Sequence, residues 1–195
     1  MKERIALLCR ALRAGQPAVT ALVTGCRGAT PRSPGALLVL TAEAVAGTVG
    51  GGQAEHDILA PAQEMLGSGP AVQQGWHQCL SAEELRHMGQ EYGGEEEILL
   101  LRWTSQDLPL AEQMVLAMEQ NADCSLQIEY KEGCWRGTLL PEAVTTAAAG
   151  RFTLKLQEGG RCYVFGGGHV SQALVPLLDG VGFSCVVLDL SLIHI

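Results

Sequence analysis

Positive charge is scarce in this chain. It carries 13 Lys and Arg against 21 Asp and Glu, for a net charge of −8. The cations form no cluster, so the electrostatic footprint of a nucleic-acid binder is missing. Paired cysteines are missing too. The seven Cys, at positions 9, 26, 79, 124, 134, 162 and 185, form no C-x-x-C pair, and their number is odd. That pattern is neither a zinc framework nor a disulfide scaffold. Cys9, Cys124, Cys162 and Cys185 stand within or beside apolar runs and are expected to be buried small hydrophobes. No apolar run reaches the roughly 18 residues that a transmembrane helix needs. The opening Met1-Lys2-Glu3-Arg4 starts an amphipathic helix and not a secretory leader, so the cytoplasm is the expected compartment. His56 and His87 have no partners at metal-ligand spacing, and no catalytic or metal-binding residue is assigned. No internal repeat or low-complexity segment is found.

What the chain does hold is apolar mass and glycine. Apolar residues make up 47% of the 195 residues, enough for one full domain and part of another. Ile5, Leu8, Cys9 and Leu12 share a helical face that ends at Gly15. Ala18 to Thr24, Ala36 to Leu40 and Val45 to Val49 read as strands. Gly25 to Gly35 is expected as a loop, and Gln53 to Leu66 as a helix. Gly67-Ser68-Gly69-Pro70 marks a turn, followed by helical character around Ser81 to Met88. Glu95 to Trp103 reads as a strand despite its three leading glutamates. Pro109 to Asn121 reads as a helix with Leu110, Met114, Val115 and Met118 on its apolar face. Cys124 to Tyr130 and Trp135 to Leu140 form a hairpin across Lys131-Glu132-Gly133, and Phe152 to Leu156 is one more strand. The expectation is an α/β chain: a mixed α/β N-terminal domain over residues 1–158, then an incomplete Rossmann-like βαβ unit over 159–195.

That unit has the layout strand, glycine turn, helix, strand, acid. Arg161 to Phe165 runs into Gly166-Gly167-Gly168-His169, a helical pattern follows, and Cys185-Val186-Val187-Leu188 closes on Asp189. Gly166 and Gly168 would let the backbone approach a pyrophosphate at a helix start. His169 lies at that helix start, facing a ligand or serving as cap or solvated side chain. Asp189, 23 residues after Gly166, stands near the usual interval of about 20 for an acid that holds a ribose hydroxyl. Ser171 takes the third small position. NAD(P) or another nucleotide is therefore one cofactor expectation, and a ligand-free strand–turn–helix is the alternative. The chain stops six residues after Asp189. It is read as part of a longer protein, with Leu190 to Ile195 either non-native or a short closing strand.

Two N-terminal segments carry further chemistry. Gly28-Ala29-Thr30-Pro31-Arg32-Ser33-Pro34-Gly35 is stiffened by two prolines and presents Arg32, whose guanidinium suits bidentate capture of phosphate or carboxylate. The alternative is a stable turn with a solvated Arg. Gly50-Gly51-Gly52, between a strand and a helix, can form a nest of anion-binding N–H groups, or can serve close packing at a corner. Glu55 falls in the first turn of the following helix, where it also complements the helix dipole. Cys26 lies beside the Arg32 loop, as a reactive thiol or as an ordinary loop cysteine.

Taken in order, Ala29-Thr30-Pro31-Arg32-Ser33-Pro34-Gly35 and Gly47-Thr48-Val49-Gly50-Gly51-Gly52-x-x-Glu55 resemble the N-terminal signature of the xanthine dehydrogenase accessory protein family, XdhC/CoxI type. Phe165-Gly166-Gly167-Gly168-His169-Val170-Ser171-Gln172-Ala173-Leu174 looks like the start of that family's C-terminal Rossmann domain. The chain departs from the family pattern at Tyr92-Gly93-Gly94, where members often carry Cys-Gly-Gly. It departs again after Asp189, where Val-Asp-Asp-Arg is common. The resemblance implies a non-catalytic maturation factor. Such a protein would bind molybdenum cofactor (molybdopterin), support its sulfuration and insertion, and pass it to an apo-molybdenum hydroxylase of the xanthine dehydrogenase type. A cysteine desulfurase would be a further partner, and a homo-oligomer the expected state. The residues carried over as cofactor-binding are Thr30, Arg32, Gly50, Gly51, Gly52 and Glu55, with Gly166, Gly168, His169 and Asp189 in the second part. An NAD(P)-dependent oxidoreductase and a scaffold without cofactor binding are the competing readings.

Overall fold

The computed structural model describes residues 1–79, 87, 93–131, 133–156, 160–181 and 183–190. The expected helix at 81–88 lies outside these, His87 excepted. The chain divides into two compact units, Met1–Leu156 and Gln157–Ile195, and the architecture is mixed α/β.

The first unit is built on β1 (Ala18–Arg27), a strand buried on both faces over its first seven residues. It sits at the centre of a five-stranded antiparallel sheet of order β3-β2-β1-β5-β4, with β2 Leu37–Leu40, β3 Val45–Gly47, β4 Val72–Gln78 and β5 Glu95–Trp103. Strand side chains alternate between faces, and this alternation sorts the core into two layers. Val19, Ala21, Val23, Ile98 and Leu100 point to one face and pack on Ala54, Ile58, Ala62 and Met65 of α2 (Gly52–Gly67). Leu22, Leu99, Leu101 and Trp103 point to the other. There they meet α1 (Lys2–Arg13), α3 (Leu108–Glu119) and the apolar face of a second, four-stranded sheet. That sheet has order β7-β6-β9-β8, with β6 Ser125–Lys131, β7 Cys134–Leu140, β8 Thr146–Ala148 and β9 Arg151–Lys155. Each large side chain fully withdrawn from water contributes about 1.5–3 kcal/mol. The two layers therefore hold the first unit without any residue beyond 156. Trp103 is placed twice over. Its Nε1 donates to Thr20 Oγ1 at 2.9 Å, and its ring lies 4.6 Å from that of Trp135.

Several sequence expectations are corrected here. β1 runs on to Arg27, so the loop expected from Gly25 starts later. A register shift between Val23 and Gly25 in the β1–β5 ladder marks a bulge that leaves Thr24 without a direct cross-strand partner. β4 and β8 were not expected as strands. The buried face of α3 is Ala111, Met114, Ala117 and Met118, with Leu110 and Val115 half-buried at its margin. Among the cysteines, Cys9 and Cys124 are buried as expected, Cys162 and Cys185 only half so, and Cys79 is buried without having been expected to be.

The second unit is a βαβ arrangement: β10 (Arg161–Phe165), α4 (His169–Gly180) and β11 (Ser184–Leu188), with the two strands parallel and Cys162 opposite Cys185. Helix α4 has no buried residue.

Candidate functional site

The two N-terminal motif loops are brought together over one residue of β5. Cross-strand pairing sets Cys26 opposite Glu96 and Arg27 opposite Glu95. Past the bulge, Glu96 shares the α2-side face with Ile98 and Leu100, while Glu97 turns to the other face and accepts from Thr24 Oγ1 at 3.2 Å. Glu96 is fully buried. Its Oε1 accepts the backbone N–H of Arg32 at 3.1 Å, which pins the Thr30-Pro31-Arg32 segment over the sheet. A Cβ placed on Gly50 would lie 2.7 Å from Pro31 Cγ and 3.3 Å from Glu96 Oε2. Gly50, at φ 124°, takes a backbone conformation open to glycine. Its bare backbone is thus what lets the glycine turn close down on the Arg32 loop.

A second close approach locks the same loop from below. Gly94, just before β5, packs so tightly on Ala29 that a Cβ there would overlap its carbonyl, with Thr30 Cγ2 only 2.7 Å away. A Cβ on Gly28 would in turn lie 2.9 Å from the Gly93 carbonyl oxygen. Gly94 therefore has a packing reason independent of the residue at 92, which lies outside the described residues. Within the loop, Thr30 Oγ1 donates to the Arg32 carbonyl at 2.9 Å, and the Cys26 thiol donates to the same oxygen at 3.3 Å. Thr30 and Cys26 thus serve the loop's shape. The Arg32 side chain is exposed.

The glycine nest is filled from within the chain. Glu55 turns back from the first turn of α2 and accepts the N–H of Val49 at 3.1 Å, the N–H of Gly51 at 3.0 Å and the hydroxyl of Thr48. Gly50 N–H donates to Thr48 Oγ1 at 3.0 Å. The carboxylate occupies the place a bound anion would take in such a nest. Glu55→Ala should therefore leave two turn amides without their acceptor. A loss of about 2 kcal/mol or more in urea denaturation is expected, and an unchanged midpoint would remove Glu55 from this role.

Electrostatics single out Glu96. Burial pushes its carboxyl above the ordinary value of 4.5, against the lowering influence of the Arg32 amide, the Cys79 thiol and the Arg32 charge; Glu55 raises it further. Cys79 is buried beside it. Desolvation and the neighbouring Glu96 push this thiol up to about 12, so it stays protonated at neutral pH and is not a nucleophile. A carboxyl whose folded value is raised favours the folded state below its ordinary range, and that contribution is lost as pH rises through the folded value. Glu96→Gln should accordingly raise the unfolding temperature at pH 7. Its advantage should close as pH falls to 4, and a difference that does not vary with pH would contradict the assignment. Sequence reading missed both Glu96 and Cys79. The one available signal was three glutamates in a row at the mouth of an apolar strand.

In the second unit the glycine turn and Asp189 do meet. Gly166, at φ 100°, donates its N–H to the Leu188 carbonyl at 2.7 Å, and Gly167 N–H donates to Asp189 Oδ2 at 2.6 Å. Ser171 Oγ bonds the Gly166 carbonyl. Gly168 caps α4 without a side-chain bond, and Gly168 and His169 are exposed. Asp189 is thereby engaged with the turn itself. Among the described residues no group of three His, Cys, Asp or Glu is placed to hold a metal ion, and no helix is long and apolar enough to cross a membrane.

No curated protein sequence matches the chain. A crystal structure of a xanthine dehydrogenase from Bacillus halodurans has the same fold, with a TM-score of 0.66 at 16% identity. The match covers 94% of this chain and 61% of that one, so the chain spans less than two thirds of its length. Residues 11–74 match the model of the XdhC and CoxI family. They contain the Arg32 loop, the glycine turn and Glu55, and over this segment the chain is similar to that family.

Proposed function

We propose that this protein is a maturation factor for a xanthine dehydrogenase-type molybdenum hydroxylase. In this reading it binds molybdenum cofactor, supports its sulfuration and hands it to the apo-enzyme. The observation that carries the reading is the convergence of the two family motifs. The Arg32 loop and the glycine turn pack on each other above a buried carboxylate, although neither needs the other for its own turn geometry. The residues fit the cofactor in part. Molybdopterin ends in a phosphate, and the exposed Arg32 guanidinium is a bidentate cation for it. Gly50, Gly51 and Gly52 shape the floor beside it and Glu55 fixes their turn, since its carboxylate already holds two of the amides. Thr30 sets the loop conformation that presents Arg32. In this reading the sulfur comes from a partner such as a cysteine desulfurase.

A nicotinamide oxidoreductase gains no support from the second unit, where Asp189 is bound to the Gly167 amide. Gly166, Gly168 and His169 are kept in the proposal only as a contact surface of the second unit taken by itself. A scaffold without cofactor makes a different forecast from the maturation reading. Titration with molybdopterin should show Arg32→Ala binding about tenfold or more weakly, the effect of losing one charge-assisted bond of about 1.5–3 kcal/mol. The melting temperature should change little, because the guanidinium is exposed and acts on the fold only through its charge near Glu96. Equal affinity of the two proteins would take Arg32 out of the site.

A further inference from the structure

One group in the first unit is left without a reason by folding. Glu96 Oε2 is buried and has no hydrogen-bond partner among the described residues. Burying an unsatisfied carboxylate oxygen is costly, and native folds retain such groups rarely. The structural task of Glu96 is done by Oε1, which holds the Arg32 amide. A glutamine would do that task as well, with no charge to bury. The neighbouring Cys79 thiol is only a weak donor and leaves the oxygen unsatisfied. What lies next to Oε2 is the bare backbone of Gly50, where an added Cβ would stand 3.3 Å from Oε2 and 2.7 Å from Pro31 Cγ. These are the two motif loops, and the Arg32 loop is exposed along most of its length.

We infer that Glu96 is a ligand-reading residue, whose free oxygen accepts N–H donors from the 2-amino-4-oxopyrimidine edge of a pterin seated between the Arg32 loop and the glycine turn. The inference rests on the molybdenum cofactor reading above and says which end of the cofactor goes where. A carboxylate is an acceptor only, and with Oε1 held by the Arg32 amide the free Oε2 can still accept from the amino group and the ring N–H beside it. Arg32, on the same loop, would face the phosphate end. One ligand would then be gripped at an anionic end by a cation and at a donor edge by a carboxylate. Entry requires the glycine turn and the Arg32 loop to part at the Pro31–Gly50 contact and at the Arg32 N–H bond to Oε1, while the packing of Ala29 on Gly94 keeps the base of the loop in place. The same edge occurs in guanine, so guanosine is a second source of the chemistry.

The test uses Glu96→Gln in the full chain. Its Oε1 can still accept the Arg32 amide, so the fold should hold with an equal or higher melting temperature. At the position of Oε2 it would present an N–H₂, a donor facing donors. Molybdopterin affinity should fall about ten- to a hundredfold. On the wild-type protein, free pterin should compete with molybdopterin at least about tenfold better than lumazine, which has an oxygen in place of the 2-amino group. Guanosine competing as well as pterin would support the edge assignment and point to a nucleobase-bearing ligand. Unchanged molybdopterin affinity in Glu96→Gln, or lumazine competing as well as pterin, would overturn the inference while leaving the cofactor reading in place. A wild-type protein that binds no molybdopterin would overturn both. Should the glutamine variant fail to fold, the pterin–lumazine comparison decides the matter on the wild-type chain alone.

Discussion

Gly94→Ala is expected to lower the unfolding midpoint by about 5–10 °C, from an overpacking cost of about 2–3 kcal/mol. The added methyl would meet backbone: the Ala29 carbonyl stands where it must go, with Thr30 close behind. A flexible side chain could swing aside, but a carbonyl in a loop stiffened by Pro31 and Pro34 cannot. The loop would lift, and with it the Arg32 N–H that pairs with Glu96. Stability and cofactor binding should therefore fall together in this variant, unlike Arg32→Ala, where binding alone should fall. Thermal melts followed by circular dichroism check the first effect and titration the second. A shift under about 1 °C would mean that Ala29 does not rest on Gly94.

Removal of residues 157–195 should have the second large effect, on association. In the second unit Phe165 is 81% exposed, Val170 80%, and Leu177 and Val181 70% each. A two-stranded βαβ surface of this kind is apolar on the outside and has strand edges open to pairing. The 195-residue chain is expected to form oligomers or aggregates and to bind an apolar dye. The shortened protein, residues 1–156, should be monomeric and should keep its melting temperature, because both apolar layers of the first unit lie within it. Light scattering and hydrogen exchange follow this directly, with weaker protection expected after 156. A full-length chain that stays monomeric and dye-free would count against this, as would a shortened one that unfolds.

Much of the fold was legible because it rests on periodicity. β1, β2, β5, β6, β7 and β9 announce themselves by apolar runs or alternation, and α1 by its spaced face. β4 did not. Val72-Gln73-Gln74-Gly75-Trp76-His77-Gln78 holds one glycine and three glutamines, and it becomes a strand because β5 offers an edge to pair with. β8 is likewise an edge strand of three residues, Thr146–Ala148, defined by its pairing with β9. The face of α3 was legible in Met114 and Met118 but not in Ala111 and Ala117, which are buried beside them although alanine carries little apolar signal. Of the site, the two loops were visible as glycine and proline patterns with an exposed Arg between. Their contact was not, because it depends on a bulge at Val23–Gly25 and on a glutamate fully withdrawn from water. Charge in a sequence ordinarily signals exposure, so Glu96 read as a flaw in a strand. The glycine nest was legible as an anion site, and the anion turned out to be Glu55 of the same chain.

The account stands most directly on whether the protein carries a pterin. It should be purified from a host that makes molybdenum cofactor, oxidised to convert any bound cofactor to a fluorescent pterin, and compared with Arg32→Ala and Glu96→Gln prepared in the same way. Near-equimolar pterin is predicted in the wild-type protein, with strong loss in both variants at unchanged fold. Wild-type protein free of pterin, from a host in which the cofactor is abundant, would contradict the account.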